Sequence, residues 1–264
     1  MRKMLLAMLC LLLCCSTGMA VSPKPSTPVW QSGLSLASSC VLYVPFVEGS
    51  GTACADYSGL AHTGTAVNGT WSTGDYGAQL TCTAASSYVA FTDAADLRFT
   101  DSHTIAWLGV LTGSGAGNTA VIGKCAESGY RADVLQQFSN NMYQGWATNA
   151  TTLTQEAPAS FAKSDPNLDL LVVVYTPSVS VVMYQNGTPI KTSSTSIPAA
   201  FFNNNERGWK IHTRGDTIAF TPGITTGVAM WSRALSADEV ATLNNDFFAL
   251  VRASGNPRFF LEGE

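Results

Sequence analysis

The chain has 264 residues, 46% hydrophobic and 12% charged, with 23 glycines and a formal net charge of −4. The apolar content is enough to build a core, which excludes a disordered polymer. Low charge with abundant Gly, Ser, Thr and Asn favours an all-β extracellular domain over a helical cytosolic enzyme. The absence of a basic patch argues against nucleic acid and anionic membrane surfaces as partners.

Arg2 and Lys3 precede an apolar run, Met4 to Cys15, which is followed by Ser16, Thr17 and the small-residue pattern Gly18-Met19-Ala20. This predicts a secretory signal peptide over residues 1–20, cut after Ala20. The run is too short to span a bilayer, and no later stretch is long enough, so no integral membrane segment is expected. Leu13 and Cys14 stand before the two candidate lipidation cysteines, where a small residue is needed, which disfavours a lipoprotein. The expected location is secreted or at the cell surface.

Cys40, Cys54, Cys82 and Cys125 remain after cleavage. An even number in an oxidising compartment predicts two disulfides, with the pairing left open. Zinc spacing is absent: there is no C-x-x-C, and no His stands near any of these cysteines.

Residues 21–38 are rich in Ser and Pro and read as a flexible lead-in. Residues 39–250 then show short apolar runs broken by Gly, Asn, Asp and Ser, and residues 251–264 form a tail. The runs predict strands at Val41–Phe46, Ala78–Cys82, Tyr88–Phe91, Thr104–Leu111, Thr119–Gly123 and Ala132–Phe138. They continue at Met142–Trp146, Leu168–Tyr175, Val179–Gln185, Trp209–His212 and Gly227–Trp231. Several alternate with period two, as in Val179, Val181 and Met183. Asn186-Gly187 is a hairpin-turn signal. Such spacing without helical patterns between the strands predicts a sandwich or barrel. One helix is expected near the C-terminus. Ser236-Ala237-Asp238-Glu239 is a capping box, and Val240, Leu243 and Phe247 follow at helical spacing.

Several strings, in order, resemble one family. Leu42-Tyr43-Val44-Pro45-Phe46 leads into Glu48-Gly49-Ser50-Gly51 and then Asp56-Tyr57-Ser58-Gly59. Gly77-Ala78-Gln79-Leu80, Tyr88-Val89 and His103-Thr104-Ile105-Ala106-Trp107 follow. Tyr184-Gln185-Asn186-Gly187 and the closing Trp231-Ser232-Arg233-Ala234-Leu235-Ser236 complete the set. Together, over roughly residues 40 to 250, they resemble the concanavalin A-like lectin/glucanase superfamily in its laminin G-like form. The resemblance implies an antiparallel jelly-roll β-sandwich with one short C-terminal helix. It also implies a structural calcium ion near the turn that carries Glu48 and Asp56. The closing strand of many relatives has an acidic residue where this chain has Thr225 and Thr226.

Fold does not fix function. Glycoside hydrolases of this fold set carboxylates on one strand as Glu-x-Asp-x-x-Glu, a string absent here; hydrolysis needs such a pair across the bond. A lyase would need a basic and tyrosyl cluster, for which Arg131, Gln136 and Tyr143 are the nearest set. His62, His103 and His212 are scattered. The leading expectation is therefore a non-catalytic module that binds carbohydrate. A structural or adhesion role at a surface or in a virion is the alternative, and a polysaccharide hydrolase or lyase the third. Sugar sites combine aromatic platforms with planar hydrogen-bonding groups. Tyr143, Gln144, Trp146 and Asn149 form the richest such run, with Gln144 and Trp146 on one strand face. Trp209 is the second candidate.

Overall fold

The computed structural model describes residues 23–84, 86–113, 119–124, 134–138, 141–147, 153–155, 159–160, 167–202, 207–214 and 219–253. The signal peptide, its cleavage site and Cys125 lie outside the described residues.

The described strands form two large antiparallel sheets. The first runs Thr188–Ser193, Ser180–Gln185, Asp169–Thr176, His103–Leu111, Gly223–Trp231, Gly77–Cys82 and Thr70–Gly74, with Cys40–Val44 also paired to Gly223–Trp231. The second runs Leu153–Gln155, Asn141–Ala147, Val134–Phe138, Thr119–Gly123, Lys210–Ile211, Tyr88–Ala90, Gly64–Val67 and Ala53–Cys54, with Ala159–Ser160 also paired to Asn141–Ala147. This is the jelly-roll sandwich that the sequence predicts.

The two sheets have different surroundings. Along His103–Leu111 every residue is buried, and Asp169–Thr176 is buried up to its last residue. Such runs arise when both faces of a sheet are covered. Trp107, Leu171, Val173, Met183 and Met230 point to the layer between the sheets. Ala106, Leu108, Leu170, Val172 and Trp231 point the other way, onto a second apolar layer. That outer layer is roofed by the C-terminal helix, the 3₁₀ turn Phe247–Leu250 and the N-terminal segment. In the second sheet, Gly64–Val67 alternates buried and accessible, and in Tyr88–Ala90 only Val89 is fully enclosed. Its outer face is open along these two strands, whereas Ala120–Gly123 in the same sheet is buried throughout.

The helix spans Ala237–Asn245, with Ser236 accepting from the Glu239 amide at 3.2 Å and Glu239 accepting from the Ser236 amide at 2.9 Å. Arg233 clamps the same carboxylate through two further hydrogen bonds, 2.7 and 2.8 Å. Val240 and Leu243 are buried as the spacing predicts; Phe247, also buried, belongs to the 3₁₀ turn that follows the helix.

Asn186 and Gly187 both have positive φ, 50° and 75°, the signature of a type I′ hairpin. Asn186 also accepts from the Leu170 amide at 2.8 Å and donates to Asp169 at 3.1 Å, which ties the turn to the neighbouring strand.

Two expectations are corrected here. The segment read as a flexible lead-in is docked from residue 23 onward. Pro28–Trp30 pairs with Val251–Ala253, and Trp30, Leu34 and Leu36 pack into the roof layer. The partner strand lies more than two hundred residues away, so no local signal announces it. The expected disulfides are not formed among the described residues: Cys40, Cys54 and Cys82 are buried free thiols. Cys40 belongs to the roof layer, whereas Cys54 and Cys82 lie between the sheets, so the first sheet separates Cys40 from both. Burial pushes the Cys54 and Cys82 thiols up to about 12, with Glu48 adding to the effect at Cys54, so both stay protonated and unreactive.

Candidate ligand-binding face

The open face of the second sheet follows from register. Ala66, Val89, Ile211 and Ile122 stand side by side across four strands, all facing the interlayer core. The adjacent positions therefore face outward: Thr65, Ala90, Lys210 and Gly123, continuing to Val134 and Gly145. Thr65 is exposed, and Tyr88, Ala90 and Lys210 are half-buried. The Lys210 ammonium lies 5.0 Å from the centre of the Tyr88 ring, a cation–π pair on this face.

The same register locates the predicted site. Gln144 stands opposite Leu135, and Met142 lies two positions before Gln144. Leu135 and Met142 are both buried in the interlayer core. Tyr143 pairs with Gln136, and Asn141 with Phe138, in the same register. The strand that sequence reading singled out is Asn141–Ala147 of the second sheet, between Val134–Phe138 and Leu153–Gln155. Asn149 lies outside the described residues.

Trp209 is not a surface residue. It is fully buried, its indole N–H donates to the Leu97 carbonyl at 2.9 Å, and its ring lies 6.0 Å from Phe99. It stands just before Lys210–Ile211, outside a strand, where alternation could not assign it a face. Sequence reading missed Tyr88, Lys210 and Thr65. The alternating burial of Gly64–Val67 was their signal, but that strand is too rich in small residues to stand out.

The chemistry of this face is limited. The described strands of the second sheet contain no Asp and no Glu, and their one charged residue is Lys210. A pair of carboxylates flanking a glycosidic bond is therefore missing from these strands. The nearest ionic group lies below the sheet edge. Lys124, whose side chain is fully buried, donates to Asp93 at 2.6 Å, and Arg98 donates to the same carboxylate. Desolvation pushes Asp93 up, but hydrogen bonds and charge from Arg98 and Lys124 outweigh it and hold the carboxyl below its usual range.

His212 is also structural. Its Nδ1–H donates to the Thr221 carbonyl at 2.8 Å, and its Nε2 accepts from the Thr225 hydroxyl at 2.8 Å. Thr225 in turn accepts from the Trp107 indole at 2.9 Å. Burial lowers the His212 pKa to about 4, with the Thr221 carbonyl acting in the opposite direction. The ring is neutral at physiological pH and ties the two sheets together from within.

Residues 83–241 match a family model described as the concanavalin A-like lectin/glucanases superfamily. The chain belongs to this superfamily. No curated protein matches it in sequence. Among solved structures, it is similar to the binding domain of Paraclostridial Mosquitocidal Protein 1, with TM-score 0.65 and 13% identity over 80% of this chain and 52% of that one. It is similar to domain 4 of AbnA, a GH43 extracellular arabinanase from Geobacillus stearothermophilus solved with arabinotriose, with TM-score 0.60 and 12% identity over 78% of this chain and 98% of that one. The binding domain of botulinum neurotoxin DC, solved with rat synaptotagmin II, gives TM-score 0.59 and 13% identity over 80% and 52%. The chain spans about half the length of the toxin domains it matches. At these identities the likeness establishes the fold.

Membership in the superfamily brings back the expected calcium position. Asp56 Oδ1 accepts from the Tyr43 and Ser58 amides, each at 2.9 Å. Its Oδ2 accepts from the Ser58 hydroxyl at 2.8 Å and the His62 amide at 2.9 Å. Four protein donors thus saturate this carboxylate in the turn. Glu48 Oε1 accepts from the Ala55 amide at 2.8 Å, while its Oε2 is buried without a hydrogen-bond partner. On the closing strand Thr225 is engaged with His212 and Trp107, and the Thr226 hydroxyl is buried without a partner. Among the described residues no three His, Cys, Asp or Glu side chains gather as a metal site.

Proposed function

We propose that this chain is an exported, non-catalytic module that binds carbohydrate across the outer face of its second sheet. One observation carries the reading: the central strands of the first sheet are covered on both faces, whereas Gly64–Val67 and Tyr88–Ala90 of the second leave a face open. Its outward positions carry Thr65, Tyr88 and Lys210, and the same sheet includes the strand with the predicted Tyr143, Gln144 and Trp146. Aromatic platforms with planar amides between them are what a pyranose or furanose ring requires. The lack of carboxylates on these strands favours binding over hydrolysis, and with Lys210 it favours neutral or acidic glycans over cationic ones. The arabinotriose-bound neighbour supports a saccharide ligand on this architecture. Export rests on the run from Arg2 to Ala20.

A glycan array on the chain lacking residues 1–20 tests the reading. Binding that falls at least about tenfold in Tyr88→Ala, equivalent to about 1.4 kcal/mol, is the expected result. Unchanged binding in that variant would move the site off this face.

A second reading, a surface or virion protein making protein contacts, is supported by the neighbour solved with synaptotagmin II. A protein partner recovered by this face, with no glycan bound, would establish it.

A further inference from the structure

Two Asn-Gly pairs occur in the sequence, Asn68-Gly69 and Asn186-Gly187, and each is followed by threonine. Glycine has no side chain to shield its backbone nitrogen, so this nitrogen can reach the carbonyl carbon of the asparagine side chain before it. Asn68 and Asn186 both hold a left-handed φ of 50°. Their side chains are held very differently. The Asn186 carboxamide is half-buried and fixed at both ends. Its Oδ1 accepts from the Leu170 amide at 2.8 Å, and its Nδ2 donates to the Asp169 carboxylate at 3.1 Å. Asp169 is itself buried and also accepts from the Gln185 side chain at 2.9 Å, so this anchor is rigid. Asn68 is exposed, and among the described residues its carboxamide is tied by one hydrogen bond, from Nδ2 to the Ser86 carbonyl at 3.2 Å.

We propose that Asn68-Gly69 is a spontaneous modification site, where the asparagine converts to a mixture of aspartyl and isoaspartyl links, and that the fold protects Asn186-Gly187 from the same change. The Gly69 backbone nitrogen gives its proton to hydroxide and forms a bond to the Asn68 Cγ. The Cγ–Nδ2 bond breaks, and Nδ2 takes a proton from water and leaves as ammonia. Water then opens the cyclic imide. Cleavage of the new Cγ–N bond leaves an aspartyl link, and cleavage of the original peptide bond leaves an isoaspartyl one. The net change is one water in and one ammonia out, with no oxidation or reduction. The position gives the change a structural consequence. Gly64–Val67 belongs to the second sheet and Thr70–Gly74 to the first, so Asn68-Gly69 is a crossover between the sheets. An isoaspartyl link lengthens the main chain at that crossover. Either product sets a negative charge one residue past Val67, which pairs with Tyr88. This inference does not rest on the carbohydrate reading.

The test incubates the wild-type protein at mildly alkaline pH, once folded and once in urea. Peptide mass spectrometry then follows the amide-to-acid mass gain at positions 68 and 186 over time. To turn toward the attacking nitrogen, the Asn186 carboxamide must give up two hydrogen bonds and that of Asn68 one. In the folded protein Asn68 should therefore convert at least about fivefold faster than Asn186, the factor that one additional hydrogen bond sets. In urea the two should convert at similar rates, because both stand in Asn-Gly-Thr. Three results would overturn the proposal: equal rates at the two positions in the folded protein, an Asn68 that stays unchanged there while both convert in urea, or the same bias toward Asn68 persisting in urea, which would remove the fold as its cause.

Discussion

His212, Thr225 and Trp107 form a chain in which each hydrogen bond fixes the next. The Thr221 carbonyl can only accept, so His212 Nδ1 carries the proton and Nε2 is left to accept from Thr225. The Thr225 oxygen is then free to accept from the Trp107 indole. The arrangement requires a neutral ring, and burial holds the folded-state pKa at about 4 against an ordinary 6.5. The unfolded chain takes up the proton first, so stability falls as pH drops from about 6.5 to about 4. The ceiling of that loss is about 3 kcal/mol. Urea midpoints measured across this window should decline in the wild type, and His212→Asn should flatten the slope there. A wild-type midpoint constant from pH 7 to 4 would contradict the neutral-ring network. None of this was legible in the sequence, where His212 looked like one of three scattered histidines. A histidine's role depends on what the fold stacks beside it.

Elements were legible in proportion to how local their causes are. The capping box at Ser236, the Asn186-Gly187 turn and the apolar run of Asp169–Thr176 are each decided within a few residues, and all three appear as expected. The pairing of Pro28–Trp30 with Val251–Ala253 depends on the opposite end of the chain and was missed. Trp209 was misjudged because a face can be read only once neighbouring strands supply the register. The helix offers a clean test of the local part. Ser236→Ala removes the acceptor for the Glu239 amide but leaves Arg233 clamped on the Glu239 carboxylate. The expected cost is about 1 kcal/mol, read as a shift in denaturant midpoint at unchanged slope. A loss of several kcal/mol would mean that the cap also organises the roof over the first sheet.

Across the whole molecule, the strands differ in how far they are enclosed. Strands His103–Leu111, Asp169–Thr176 and Gly223–Trp231 lie at the middle of the sheet that is buried on both sides. Their amides should exchange with solvent only on global unfolding, whereas those of Gly64–Val67 and Tyr88–Ala90 should exchange through smaller openings. Equal protection in both sheets would show that the open face is covered by something the described residues do not include. Stability is thus concentrated in one sheet, which leaves the surface composition of the other free for recognition.

The pairing of Pro28–Trp30 with Val251–Ala253 also has a mechanical side. The strands are antiparallel, and Pro28 stands opposite Ala253, so the two chain ends leave this small sheet from the same edge. Tension applied through both ends would load its hydrogen bonds one after another, like a zipper, rather than all at once in shear. The segment that fastens the N-terminus would therefore yield at low force, while the strands beneath it stayed intact.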